Sequence, residues 1–153
     1  MERTLIIAKP DAVQRGLIGE IISRLEQKGL KLIGIKMTSL DEAILRNHYA
    51  EHLEKPFYEG LENFMKSSPV VLMVWEGYEC VNAVRTLVGA TNPREAAPGS
   101  IRGDLAIGVG RNLIHASDSK ESGKREVTSF FKPDELIEYD KSEYLHLYED
   151  FER

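Results

Sequence analysis

The chain has one cysteine and no long apolar run, and both absences narrow what it can be. Cys80 has no partner for an intrachain disulfide, so it is interpreted as a small packing residue. No apolar stretch reaches the length that crosses a bilayer. The opening residues 1–4 are followed too soon by Lys9-Pro10-Asp11 for a signal peptide. We therefore expect a cytoplasmic protein with no membrane partner.

An excess of basic residues is also missing. The 20 Lys and Arg residues stand against 25 Asp and Glu residues, which gives a formal net charge of −5. Nucleic-acid binding rests on neutralising many phosphates with a concentrated basic surface, so no nucleic-acid partner is expected. A single nucleotide needs only a few well-placed cations, which an acidic chain can supply.

Two phosphate-binding motifs are absent. There is no Gly-x-x-x-x-Gly-Lys-Ser/Thr sequence, and Gly108-Val109-Gly110 lacks the later glycine of a dinucleotide-binding loop. Any phosphate group must therefore be held by side chains. The length of 153 residues, with 42% hydrophobic and 29% charged residues, fits a single globular domain spanning residues 1–153.

Hydrophobic periodicity alternates between strands and helices along most of the chain. Gly29 and Gly89 follow two of the helical patterns and are expected to end those helices. The predicted strands are 4–8, 32–38, 70–75 and 113–115, and the predicted helices are 17–28, 41–53, 57–65 and 78–88.

This order predicts a doubled split β-α-β arrangement, the ferredoxin-like α+β fold, with a four-stranded antiparallel sheet and helices covering one face. Residues 90–111 lack clear periodicity and form a long loop insertion. They contain Thr91, Arg94 and Arg102, so they are either a phosphate-handling loop or a mobile surface loop.

One segment carries a candidate nucleophile. In Asn112-Leu113-Ile114-His115-Ala116-Ser117-Asp118-Ser119, a histidine follows an apolar pair and precedes a run of helix-capping residues. Imidazole can form a covalent intermediate when a second group orients the ring. The alternative is a buried histidine with its hydrogen bonds satisfied.

Residues 112–119 are one of many short pieces, spread over nearly the whole chain, that match a known family. The chain resembles nucleoside diphosphate kinase in the order and spacing of many short pieces. Besides residues 112–119, these are Lys9-Pro10-Asp11, Gln14-Arg15-Gly16, His48-Tyr49, Lys55-Pro56-Phe57, Val74-Trp75-Glu76-Gly77, Thr91-Asn92-Pro93, Pro98-Gly99-Ser100-Ile101-Arg102-Gly103-Asp104 and Val109-Gly110-Arg111.

The resemblance implies a ping-pong phosphotransferase. His115 would take the terminal phosphate of a nucleoside triphosphate, carry it as phosphohistidine and give it to a nucleoside diphosphate. The resemblance also implies the same fold, broad base specificity and Mg²⁺ that arrives on the nucleotide phosphates. No metal site made by the protein alone is expected, because no cage of carboxylates or zinc ligands is visible.

The resemblance assigns further roles to individual residues. Glu126 would orient the histidine ring and Ser117 would lie close to both, whereas Glu126 by itself reads as an exposed helix glutamate. Phe57 and Val109 would sandwich the base, although the spacing of Phe57 to Leu61 and Phe64 also fits core packing. The phosphate contacts would be Tyr49, Arg85, Thr91 and Arg102, with Lys9 and Asn112 shared between phosphate and ribose.

The resemblance also implies a homo-oligomer, with a hexamer favoured and a tetramer possible. Hexameric relatives tend to have a longer C-terminus that packs on a neighbour, and residues 144–151 include several aromatic and aliphatic side chains. A flexible acidic tail is the alternative.

Two other functions remain open from the residues. His48-Tyr49-Ala50-Glu51-His52 matches the His-x-x-Glu-His pattern of a zinc hydrolase, with two histidines four apart on a predicted helix. A non-catalytic relative acting as a binding module is the second. Such a relative would typically have lost the histidine or a phosphate-binding residue, and none is lost here.

Overall fold

The computed structural model describes all 153 residues and contains one four-stranded antiparallel sheet. The strand order is β2-β3-β1-β4, and every neighbouring pair is antiparallel. The ferredoxin-like α+β prediction is confirmed. The strands are β1 (Glu2–Ala8), β2 (Lys31–Thr38), β3 (Val70–Gly77) and β4 (Ile114–Ala116).

Eight α-helices and three short 3₁₀ turns connect and cover the strands. None of the helices is long and apolar enough to span a bilayer. The helices are α1 (Pro10–Gln14), α2 (Ile18–Gln27), α3 (Glu42–His48), α4 (Tyr58–Lys66), α5 (Cys80–Val88), α6 (Ile101–Leu105), α7 (Lys120–Phe130) and α8 (Tyr144–Leu147), and the 3₁₀ turns are Ala50–His52, Pro133–Glu135 and Asp150–Glu152.

Helices cover both faces of the sheet, so the expectation of one covered face is wrong. On one face Ile6 packs in a cluster with Leu25 of α2 and Val84 of α5. On the other face Leu5 packs with side chains of α3, α4 and α7, among them Val127. The sequence carries the reason, because β1 and β3 are nearly continuous apolar runs, as strands buried on both faces are.

One predicted helix and one predicted loop need correction. The predicted helix 41–53 ends at His48, after which the chain tightens into the 3₁₀ turn Ala50–His52, with His52 N–H bonded to the Tyr49 carbonyl at 2.8 Å. The predicted loop 90–111 contains α6, whose first turn is capped by Ser100 accepting from Gly103 N–H at 3.0 Å. A five-residue helix is too short for its periodicity to be recognised.

Helix α7 lies outside the predicted elements, and it packs closely on β1. Gly123 sits where an added Cβ would lie 2.6 Å from the Arg3 carbonyl oxygen, so only a glycine allows this approach. The helix starts at Ser119, whose hydroxyl accepts from Ser122 N–H at 3.0 Å. Because α7 packs on β1 in this way, its buried side faces the neighbouring edge strand β4. Glu126 is on that side, and His115 is in β4.

The C-terminal segment packs on its own chain rather than extending freely. The Lys141 amine donates to the Leu30 carbonyl at 2.8 Å, and the Tyr139 hydroxyl donates to the Leu32 carbonyl at 2.9 Å. Leu145 and Phe151 are left 66% and 79% exposed. These two contacts lie before residues 144–151, so the flexible-tail alternative stays a prediction for those residues.

Candidate active site

A cleft of about 710 Å³ opens beside the exposed side of β4, between α5, α7 and the segment after α3. The predicted residues are spread along the chain from Lys9 to Glu126, and the fold collects most of them here. Those lining the cleft are Lys9, Tyr49, Phe57, Arg85, Thr91, Arg102, Asn112, His115 and Glu126.

His115 and Glu126 form the closest polar pair in the cleft. His115 is the middle residue of β4, where it pairs with Ile7. Its Nε2 lies 2.5 Å from Oε2 of Glu126, which projects from α7. Glu126 is 7% exposed, so its interpretation as an exposed helix glutamate is wrong.

The charge state of Glu126 determines which ring nitrogen is free. Burial alone would raise the pKa of Glu126, but the hydrogen bond and charge of His115, with a smaller effect of His48, lower it below its usual value. The carboxyl is therefore ionised at neutral pH and can only accept. His115 Nε2 must donate the proton, which leaves the lone pair of a neutral ring on Nδ1.

Ser117 supports this pair from beneath the cleft. It is fully buried, and its hydroxyl accepts from Leu5 N–H at 3.0 Å. A hydrogen bond from Ser117 also contributes to the lowered pKa of Glu126. Ser117 thus ties the segment between β4 and α7 to β1 and does not line the cleft itself.

His48 is a second imidazole beside His115. The two ring centroids are 4.8 Å apart with the planes nearly perpendicular, and His48 Nδ1 lies 3.8 Å from Oε2 of Glu126. Burial lowers the pKa of His48 to about 4, with His115 adding to the effect and Glu126 opposing it. His48 is therefore neutral at physiological pH.

The cationic side of the cleft is built around Asn112. Its Oδ1 accepts from the Lys9 amine at 2.7 Å, and its Nδ2 donates to the Thr91 carbonyl at 3.0 Å. Lys9 directly follows β1, and its own N–H donates to the Leu113 carbonyl at 2.8 Å. One amide side chain therefore joins three chain segments at the cleft wall.

Arg102 is buried and held by three backbone carbonyls. Its guanidinium donates to Gly89 at 3.0 Å, to Asn112 at 3.2 Å and to Ile114 at 2.6 Å. A guanidinium has five N–H groups, so two remain for a ligand in the cleft. Burial, and to a lesser degree Arg85, lowers the pKa of Arg102 to about 10, which leaves it charged at neutral pH.

Leu113 holds the backbone between Asn112 and His115 in an unusual conformation. It is fully buried with φ of +74°, a region that costs a residue with a side chain on the order of 1–3 kcal/mol. Its N–H is bonded to Oδ2 of Asp11 at 3.0 Å, and its carbonyl accepts from Lys9 N–H. The surrounding hydrogen bonds fix this turn next to His115.

The two predicted base contacts differ in their placement. Phe57 lines the mouth of the cleft and is 54% exposed, so its interpretation as a core residue is wrong. Val109 is 46% exposed in the turn between Gly108 and Arg111 and is not among the residues that line the cleft.

Known proteins of one family resemble this chain over nearly its whole length. The family model of nucleoside diphosphate kinase matches residues 2–136. A nucleoside diphosphate kinase from Archaeoglobus fulgidus is 54% identical over 150 residues, covering 98% of this chain and 99% of that protein. One from Staphylococcus saprophyticus is 56% identical over 149 residues, covering 97% of this chain and all of that protein.

The chain belongs to the nucleoside diphosphate kinase family. A solved structure from Halobacterium salinarum, a nucleoside diphosphate kinase in complex with CDP, aligns with a TM-score of 0.94 and 50% identity over 97% of this chain and 99% of the other. A family protein from Babesia bovis aligns with a TM-score of 0.93 and 46% identity over 97% of this chain and all of the other. The chain is thus an enzyme of nucleotide phosphate transfer.

The zinc-hydrolase pattern does not form in this nucleoside diphosphate kinase fold. The helix ends at His48, and His52 Nδ1 instead faces the Lys55 amine at 2.9 Å. A cation so close to a ring nitrogen opposes metal binding there. His48 turns into the cleft, where its neighbours are His115 and Glu126 rather than His52.

Several charged or titratable residues that the resemblance gave no catalytic or binding role also line the cleft, among them His48, Asp118 and Arg125. The pKa of Asp118 is lowered, chiefly by a hydrogen bond with Ser122 and to a lesser degree by the charge of Arg85, while burial opposes the shift. Asp118 lies within segment 112–119, which the sequence analysis had already singled out. The sequence pattern paired His48 with His52, and its actual neighbours His115 and Glu126 lie far away in sequence.

Proposed function

We propose that the chain transfers the terminal phosphate of a nucleoside triphosphate to a nucleoside diphosphate through a phosphohistidine on His115. The observation that carries this proposal is the 2.5 Å contact between His115 Nε2 and an ionised Glu126, at the floor of a cleft lined by cations. The contact supplies an oriented imidazole with its lone pair on Nδ1.

In the first half-reaction, Nδ1 of His115 attacks the terminal phosphorus. The bond from that phosphorus to the bridging oxygen breaks, and the nucleoside diphosphate leaves with the electron pair. The ring becomes positively charged while it still holds its Nε2 proton. The carboxylate of Glu126 offsets that charge at hydrogen-bond distance.

The second half-reaction reverses these steps with another diphosphate. A terminal oxygen of the acceptor attacks the phosphorus, and the N–P bond breaks to restore the lone pair on Nδ1. Donor and acceptor differ mainly in base and sugar, so one cleft serves both. The overall equilibrium constant is therefore near unity.

Phosphate binding is assigned to the side chains that the fold brings around His115. Lys9, Arg85 and Arg102 supply positive charge, with the Arg102 guanidinium oriented by its three carbonyl partners. Burial raises the pKa of Tyr49 well above its usual value, so its hydroxyl stays protonated and can donate to a phosphate oxygen. Thr91 supplies a further hydroxyl, and Asn112 reaches the ribose.

The carboxylates of the cleft fit Mg²⁺ that arrives on the nucleotide. They are Glu51, Asp118 and Glu126, and Glu126 is already bonded to His115. Mg²⁺ typically takes one or two carboxylates together with substrate phosphates, so Asp118 or Glu51 would hold the ion through its waters. When bound, the ion neutralises charge on the phosphate oxygens.

Broad base specificity follows from the character of the proposed base site. Phe57 offers an exposed ring at the mouth of the cleft, and Val109 would close over the other side of the base. A ring and an aliphatic side chain supply stacking but no pattern of donors and acceptors. The site then holds purines and pyrimidines alike.

A homo-oligomer, with a hexamer favoured over a tetramer, is part of the proposal. Strand β2 is an edge strand, and its Ile35 and Met37 are 49% and 62% exposed, which supports burial against another copy. Light scattering tests it: six chains support the hexamer, and four chains or one contradict it. Replacing the exposed Leu145 and Phe151 by serine tests whether the tail holds the assembly together.

Two-substrate kinetics test the proposed transfer. Initial rates are measured over a grid of ATP and GDP concentrations with Mg²⁺ present. A covalent intermediate predicts parallel lines in a double-reciprocal plot, with GTP formed in equal amount to ADP. Intersecting lines would indicate direct transfer between two bound nucleotides and would overturn the phosphohistidine route.

A further inference from the structure

Three potential metal ligands converge at the floor of the cleft. A ring nitrogen of His48, a ring nitrogen of His115 and a carboxylate oxygen of Glu126 all lie within 4.8 Å of one another. The side chains of His48 and Glu126 are 6% and 9% exposed, and that of His115 is 22% exposed. The group is therefore shielded on one side and open to the cleft on the other.

Two of the three ligand spacings lie on either side of the value for a tetrahedral site, and the third is no longer than 4.8 Å. Ligands about 2.0–2.1 Å from a zinc ion in tetrahedral geometry lie about 3.3 Å from one another. Oε2 of Glu126 is 2.5 Å from His115 Nε2 and 3.8 Å from His48 Nδ1. A single shift of the carboxylate by under about 1 Å, away from His115 and toward His48, brings both distances to the required value.

The donor set selects the kind of cation. Two imidazoles and one carboxylate suit Zn²⁺ and neighbouring late transition metals, whereas Mg²⁺ prefers oxygen ligands. The set also matches catalytic zinc sites in having three protein ligands, with the fourth position open to water or to a phosphate oxygen. Mg²⁺ bound to nucleotide phosphates is therefore a different ion in a different place.

We propose that His48, His115 and Glu126 form an exchangeable site for Zn²⁺ that switches off the nucleophile. A neutral imidazole has one lone pair and one N–H. When Zn²⁺ takes the lone pair at Nε2 of His115, the ring proton resides on Nδ1, and no lone pair remains there to attack phosphorus. Loss of zinc returns the proton to Nε2, where Glu126 accepts it.

Metal binding itself is independent of the proposed phosphotransfer, and only the inhibitory effect rests on it. Isothermal titration calorimetry of ZnCl₂ into the nucleotide-free protein tests binding alone. One zinc per chain is expected for the natural chain. In His48→Phe, which keeps an aromatic ring against Tyr49 and Phe130, the affinity should fall by at least about tenfold.

His52→Gln is the matched control, because it removes a nearby histidine that lies outside the three ligands. It should bind zinc as the natural chain does. Equal zinc affinity in His48→Phe, absence of binding in the natural chain, or loss of binding in His52→Gln would each overturn the proposal. Circular dichroism establishes that both variants are folded, so a loss of binding is assigned to the ligand.

The inhibitory step needs a second measurement. Zn²⁺ added before Mg²⁺-ATP should abolish phosphoenzyme in the natural chain, and a chelator should restore it. In His48→Phe, whatever phosphoenzyme forms should resist the same zinc concentration. If the zinc-free natural chain forms no phosphoenzyme at all, the proposed phosphohistidine route is wrong. The calorimetric titration still shows whether the three residues bind zinc. Equal inhibition in both chains would overturn the role of the three-ligand site.

Discussion

The side-chain amine of Lys9 donates a hydrogen bond to Oδ1 of Asn112 at 2.7 Å, across 103 positions of sequence. Burial, and then the charge of Arg102, lowers the pKa of Lys9 to about 8, although Asp11 opposes the shift. The Lys9 amine therefore loses its positive charge in a pH range where nucleotides are still chemically stable.

Nucleotide affinity should fall as the pH rises through about 8. Protonated Lys9 attracts phosphate, and bound phosphate in turn favours the protonated form, so deprotonation above the pKa weakens binding. Calorimetry of ADP binding between about pH 6 and pH 10 measures the effect. Lys9→Gln should bind more weakly at neutral pH and lose the inflection near 8. The same inflection in both proteins would rule out Lys9 as its origin.

Glu126→Gln should slow formation of the phosphoenzyme by roughly 10–150-fold, which corresponds to about 1.5–3 kcal/mol for a hydrogen bond to a charged group. The amide oxygen can still accept the Nε2 proton, so the ring stays oriented while the negative charge is lost. Rapid-quench measurement of a single turnover gives the rate. Glu121→Gln on the exposed side of α7 is the control and should react normally. An unchanged rate in Glu126→Gln would contradict electrostatic stabilisation by the carboxylate.

Gly123→Ala should lower the free energy of unfolding by about 1–3 kcal/mol, because its Cβ would meet the Arg3 carbonyl at the contact between α7 and β1. Gly60→Ala in α4 is the matched helical control. An added Cβ there meets nothing within 4 Å, and the change should raise stability by about 0.5–1 kcal/mol. Urea denaturation measures both, and equal effects would show that the close contact is unimportant.

Phe57→Ala should weaken the binding of all nucleotides by a similar factor. Stacking on an aromatic ring is worth roughly 1–3 kcal/mol per base and does not depend strongly on which base is present. The values of kcat/KM are compared for adenine, guanine, cytosine and uracil diphosphates. Phe151→Ala provides a control at another exposed phenylalanine, far along the tail. A loss confined to purines or to one base would argue against an unselective stacking site.

Much of the fold was predictable because its signals are local. Four apolar runs predict the four strands, and Gly29 and Gly89 end α2 and α5 at positive φ as expected. Helix α7 was missed because its buried side is narrow: Gly123, Glu126 and Val127 are its buried residues, and two of these are not apolar. A search for apolar residues at helical spacing therefore does not detect this helix.

The candidate site was predictable in part. The segment around His115 predicts a nucleophile within a run of polar residues. The carboxylate that contacts the ring lies on α7, and only the resemblance pointed to Glu126. The neighbouring His48 could not be inferred, because its position depends on the end of α3 after that residue. A continuous helix would have kept it in the zinc-hydrolase pattern.

The most direct test of the account is the location of the phosphoryl group. The protein is incubated with γ-labelled ATP and Mg²⁺, freed of nucleotide and examined for acid-labile, alkali-stable label that passes to added GDP. The natural chain and a His146→Ala control should both carry and transfer the label, whereas His115→Ala should carry none. Normal labelling of His115→Ala would contradict the central claim that His115 carries the phosphoryl group.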